Sequence, residues 1–125
     1  MTADRAATLR SRLVNLTPHP VEVADAEGRT LLTLLPEAEG ARVPLERRLE
    51  AELQLDDAQV PIWRSVAGEV QGLPPPQPDA WLVVARLVAD AVARSGVRRD
   101  DLLIPDDLIR DAQGRVVACR GFSLG

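Results

Sequence analysis

Two five-residue segments, DAEGR at 25–29 and DAQGR at 111–115, share the pattern D-A-x-G-R and constrain the fold of this chain more than anything else in it. Each lies between aliphatic runs, VEVA and TLLTL around the first, LLIP-DDLIR and VVACR around the second. An Asp at the first corner can accept from the amides of its own turn. A Gly three residues later takes the positive φ that a bulged hairpin needs. Both segments therefore read as hairpin turns, with Gly28 and Gly114 at the positive-φ position.

The chain of 125 residues, 46% of them hydrophobic, is long enough to bury one real core without staples. All 15 basic residues are arginine, and the bias toward Ala, Leu, Val and Arg is that of a GC-rich genome. Without lysine there is no amine for a Schiff base or a P-loop, so those enzyme classes drop out. A net charge of -4 and only three aromatic residues, Trp63, Trp81 and Phe122, argue against a nucleic-acid surface. One cysteine and one histidine cannot make a disulfide or a His/Cys zinc site within the chain. Residues 1–12 have no apolar stretch like that of a signal peptide, and the longest apolar run, Trp81 to Ala85, is far too short to span a bilayer. A cytoplasmic protein that contacts neither membrane nor nucleic acid is the expectation.

Along the chain, residues 1–11 read as a flexible arm and residues 12–125 as a single globular domain. Residues 45–58 fit both an alternating strand and a helix face, with Leu45, Leu49 and Leu53 on the latter; strands are the preferred reading. The prolines of GLPPPQPD (72–79) remove the donors a sheet needs and make a stiff surface connector. WLVVARLVADAVARSG then splits into a strand and a helix whose buried face is Leu87, Val88, Ala91 and Val92, with Arg86, Asp90 and Arg94 outward and Gly96 as the stop. DLLIP (101–105) reads as a further buried strand, so a short β-α-β crossover with parallel strands is feasible. The expected fold class is mixed α/β (α+β): a mainly antiparallel, hairpin-rich sheet with one covering helix.

The order of NLTPHPV, GLPPP, the strand into LVADAV, RDDLLIP and RDAQGRVVACR resembles a family of small proteins from tailed phages and GC-rich bacteria that carry an N-L-T-P-H motif. The likeness runs from about Leu13 to Arg120. It implies one compact domain and assigns no catalytic residue, because no activity is established for that family. Two places depart from the pattern: residues 45–58 are unusually charged, and Ala85 stands where a serine would cap the helix better.

The rare chemistry gathers in NLTPHP, which holds the sole asparagine and the sole histidine. In one reading Asn15, Thr17 and His19 lie on one side of a strand and hold a small polar ligand. His19, oriented by Asp25 or Asp106, would then serve as general base of a hydrolase or transferase. In the other, Pro18 and Pro20 each remove a donor, and the Asn15 and Thr17 side chains satisfy the backbone groups left over. Cys119, alternating with Val117, reads as a core cysteine. Asp100, Asp101, Asp106 and Asp107 around LLIP suggest a metal clamp at first sight, but Arg98, Arg99 and Arg110 are near enough in sequence to neutralise them. No catalytic residue, metal or cofactor is assigned. The expectation is a non-enzymatic binding domain for an unknown protein or a small polar ligand, with an interaction surface around Trp63, Pro74, Pro75 and Pro76. The alternatives are the His19-centred enzyme and a structural homo-oligomer.

Overall fold

Both D-A-x-G-R segments form the same turn. In the first, Asp25 Oδ1 accepts from the amides of Glu27 (3.0 Å) and Arg29 (2.9 Å), and Gly28 has φ 87. In the second, Asp111 Oδ1 accepts from Gln113 (2.9 Å) and Arg115 (3.0 Å), and Gly114 has φ 81. Arg29 and Arg115 return to the same aspartates at 3.3 and 3.1 Å. The chain therefore reverses where its own side chains supply the missing acceptors.

The computed structural model describes residues 12–37 and 40–125, so the arm expected over residues 1–11 lies outside the described residues. The elements are β1 (Arg12–Asn15), β2 (Val21–Ala24), β3 (Thr30–Leu34), β4 (Leu45–Leu55), β5 (Ala58–Ala67), β6 (Ala80–Val83), α1 (Arg86–Arg94), β7 (Leu102–Arg110) and β8 (Val116–Leu124). Six strands form one sheet in the order β1-β6-β7-β8-β2-β3, and β4 and β5 form a separate two-stranded ribbon. With one helix against this much strand, the fold is sheet-dominated. It is more a sheet fold than the helix-plus-sheet class expected, because the strand reading preferred for residues 45–58 holds and extends into a long two-stranded ribbon, while the one helix among the described residues spans only Arg86–Arg94. The hairpins β2–β3 and β7–β8 are antiparallel, whereas β1–β6, β6–β7 and β2–β8 are parallel, so the main sheet is mixed.

The sheet curls until its two edges touch. Asn15, at the end of β1, bridges Pro36 just beyond β3, and the Glu37 amide donates to the Asn15 carbonyl at 2.8 Å. Closure of this kind removes exposed sheet edges. Gly40 is required beside the seam: a Cβ there would lie 2.8 Å from the Leu16 carbonyl oxygen, which already accepts from Ala41.

The crossover β6-α1-β7 follows the expected split, with parallel register Leu82↔Leu102 and Val83↔Leu103. Ala80, Leu82 and Val84 pack with Val88, Ala89, Val92, Leu102 and Ile104 in the main core. Val83, on the opposite face by strand alternation, is buried as well. Strands buried on both faces lose the polar alternation, which is why WLVV is continuously apolar. One expectation for the helix needs correction. Leu87 is 41% exposed, while Ala89 is buried beside Val88, Ala91 and Val92, so the apolar stripe is rotated toward smaller residues that let the helix approach the sheet. Ala85 caps the helix without a side-chain bond, and Gly96 follows the C-cap with φ 82. Among the described residues no helix is long and apolar enough to cross a membrane.

Candidate functional site

The NLTPHP segment is a fastener at the closure seam. Asn15 is 1% exposed, and its amide donates to the carbonyls of His19 (2.8 Å) and Leu34 (2.9 Å). Its Oδ1 accepts from the Thr17 amide (2.9 Å) and the Thr17 hydroxyl (2.6 Å). That hydroxyl also lies 2.9 Å from the His19 carbonyl and gives its single hydrogen to one acceptor at a time. The three residues do not share a strand face: β1 ends at Asn15, the chain bends over 17–19, and His19 is exposed while Asn15 and Thr17 are buried. Among the described residues, the bonds at His19 engage its carbonyl and leave its imidazole unoriented. An open cleft of about 730 Å³ beside the knot is lined by Leu16, Thr17, Pro18, Pro36, Arg42 and Gln71 among others, with Asn15 and His19 outside that lining.

The acids around LLIP are taken up one by one. Asp101 is fully buried and accepts a two-pronged bond from Arg99, Nε to Oδ1 and Nη2 to Oδ2, both 2.9 Å. Arg99 Nη2 also donates to the Pro74 carbonyl at 3.0 Å, so one buried ion pair ties the proline connector to the crossover. The sequence signal for this was slight: an Arg and an Asp two apart, on one side of extended chain at the start of a buried strand. Asp106 accepts from the Asp107 amide at 2.7 Å and the Ser123 hydroxyl at 3.0 Å. Those bonds, the amide's first, hold its carboxyl below the usual range. Asp107 pairs with Arg120, and Arg110 donates to the Gly114 carbonyl, so of the arginines expected to neutralise these acids Arg99 does so, while Asp107 takes a distant one. Among the described residues no group of three or more His, Cys, Asp or Glu is placed to hold a metal ion. Cys119 is 1% exposed on β8, and burial pushes its thiol pKa up, which makes it less reactive.

Of the expected interaction residues, Pro74 is half-buried and structural through its carbonyl, while Pro75 and Pro76 are exposed. Trp63 belongs to a larger surface. It is 47% exposed on β5, opposite Leu49, with the Arg47 guanidinium 4.3 Å from its ring centroid. The ribbon pairs with no strand of the main sheet, and residues 45–65 are all exposed. Its register passes from Leu49↔Trp63 to Ala51↔Ile62, leaving Glu50 as the extra residue of a β-bulge. The bulge moves the apolar side chains from one face to the other. Leu45, Leu49 and Trp63 share a face near the base; Leu53, Leu55, Val60 and Ile62 share the opposite face toward the turn. Glu50, on the second face, pairs with Arg64 through two bonds of 3.0 and 2.7 Å, which lowers the carboxyl's pKa and raises the guanidinium's.

Fold and surface together define a class: a curled, sheet-dominated body bearing an exposed amphipathic β-ribbon. No protein-family model, no curated protein and no solved structure matches this chain.

Proposed function

We propose that this chain is a non-enzymatic interaction domain whose body holds the β4–β5 ribbon out as its working surface. The observation that carries this reading is that Leu45, Leu49, Leu53, Leu55, Val60, Ile62 and Trp63 are each 40–56% exposed on one two-stranded ribbon. A two-stranded ribbon is at best marginally stable by itself in water, and exposed apolar surface concentrated on one element is what a protein contact buries. The arginines and acids between these side chains supply the polar rim that such a contact keeps. NLTPHP supports the same reading from the other side, since the polar groups of Asn15 and Thr17 are spent on the chain's own backbone. The likeness to phage and bacterial N-L-T-P-H proteins is compatible with an accessory protein of this kind.

Site-specific photocrosslinking in cells tests it. A photoreactive residue at Ile62 is expected to give a discrete protein adduct, and the same residue at His19 none. Adducts from position 19 together with none from position 62 would move the working surface to the knot.

A further inference from the structure

Resting on the ribbon as the working surface, we infer that its occupant is a second copy of this chain, joined through the free edge of β4. Two β4 strands run antiparallel about a two-fold axis, and the ribbons become one four-stranded sheet in the order β5-β4-β4-β5.

The two edges of the ribbon differ. β4 is 11 residues long and contains no proline, so its outer edge offers donors and acceptors along its length on either side of the bulge at Glu50. β5 contains Pro61, opposite Glu52. Leu55 and Ala58 flank a two-residue turn and form the pair that exchanges both backbone bonds in such a hairpin. Counting from there, Glu52 and Pro61 fall in a pair that exchanges none, so the donor missing at Pro61 is missing from the outer edge of β5. Proline on an edge strand is a recurrent block to strand addition. One edge is closed and the other is left open.

Charge selects the orientation. At the base of the ribbon Arg48 is paired with Glu46 and Arg64 with Glu50, which leaves Arg47 as the cation there without a carboxylate partner among the described residues, whereas Glu52, Asp56 and Asp57 lie at and near the tip. Parallel addition in register would set Arg47 against Arg47. Antiparallel addition brings the Arg47 guanidinium of one ribbon to the acidic end of the other. Pleat parity then narrows the register, because residues opposite each other must agree both in face and in whether their backbone groups point outward. Placing Arg47 opposite Glu52 of the partner subunit meets both conditions. Both residues lie on the Trp63 face and both belong to pairs that point their backbone groups away from β5. The two-fold axis makes this ion pair twice. The apolar face at the tip of each ribbon then lies beside the base of its neighbour in a sheet of twice the width, which gives the hairpin the additional strands it lacks alone.

Sedimentation equilibrium of the full chain, with charge-reversed variants, tests this pairing. Arg47 and Glu52 are exposed, and circular dichroism melting confirms for each variant that the body is folded. The wild-type chain is expected to be a dimer. Glu52→Arg or Arg47→Glu alone sets like charges opposite each other at two symmetric places and should weaken the dimer about tenfold or more. The double variant should return to within a few-fold of wild type. A chain that stays monomeric at every concentration, or a dimer whose dissociation constant is unmoved by either single reversal or not restored in the double, overturns the pairing. Crosslinking from Ile62 separates the two levels: a monomeric chain that still gives a heterologous adduct sinks self-pairing alone, and a monomeric chain with no adduct sinks the interaction reading too.

Discussion

Asn15 uses its whole hydrogen-bonding capacity, two donors and two acceptors, on a turn whose prolines cannot supply their own. Truncation removes the Asn15 bonds to the Leu34 carbonyl and the Thr17 amide at a buried seam and leaves the His19 carbonyl to the Thr17 hydroxyl alone, so Asn15→Ala should cost about 1–3 kcal/mol in urea unfolding. His19→Ala, at an exposed position, should fall within about 0.5 kcal/mol of wild type. Equal losses for both would contradict the seam role. The sequence marked these residues as unusual and suggested that their side chains repair the backbone. It did not identify Leu34 as a partner, because the carbonyl of Leu34 reaches Asn15 only when the sheet curls.

At the level of elements, the hairpin turns were the most legible feature, since everything they need lies within five residues. Gly28 and Gly114 have positive φ, and a methyl group added at either would meet nothing within 4 Å, so their substitution by alanine tests conformation alone. Each Gly→Ala change should cost about 1 kcal/mol. The melting temperature should drop by about 4 °C per site, measured by calorimetry. A variant melting with wild type would place its turn in another conformation. The ribbon was legible in part. Its strands followed from the alternation over residues 45–58, but the bulge at Glu50 puts Leu49 on one face and Ala51, Leu53 and Leu55 on the other. A bulge depends on how the facing strand is aligned, which no local pattern reports.

For the whole molecule, the buried Arg99–Asp101 pair joins the proline connector, β6 and β7, because Pro74 offers its carbonyl to Arg99 and Asp101 offers its own to Leu82. Asp101→Asn would leave a guanidinium that is 10% exposed without its counter-charge, and it should destabilise the fold by about 3–5 kcal/mol in urea unfolding. A loss under about 1 kcal/mol would show that the connector is anchored by other contacts. By itself, the sequence determined what short-range chemistry dictates: where the chain turns, that WLVV starts a strand followed by a helix, and that the proline segment stays out of the sheet. The tertiary structure alone decided which strands become neighbours, that the sheet curls until Asn15 meets Leu34 and Pro36, and that β4 and β5 stand apart as a ribbon. The physical reason is range: turn and cap preferences are settled among residues a few positions apart, whereas strand order and edge closure depend on contacts between distant segments that each have several compatible partners.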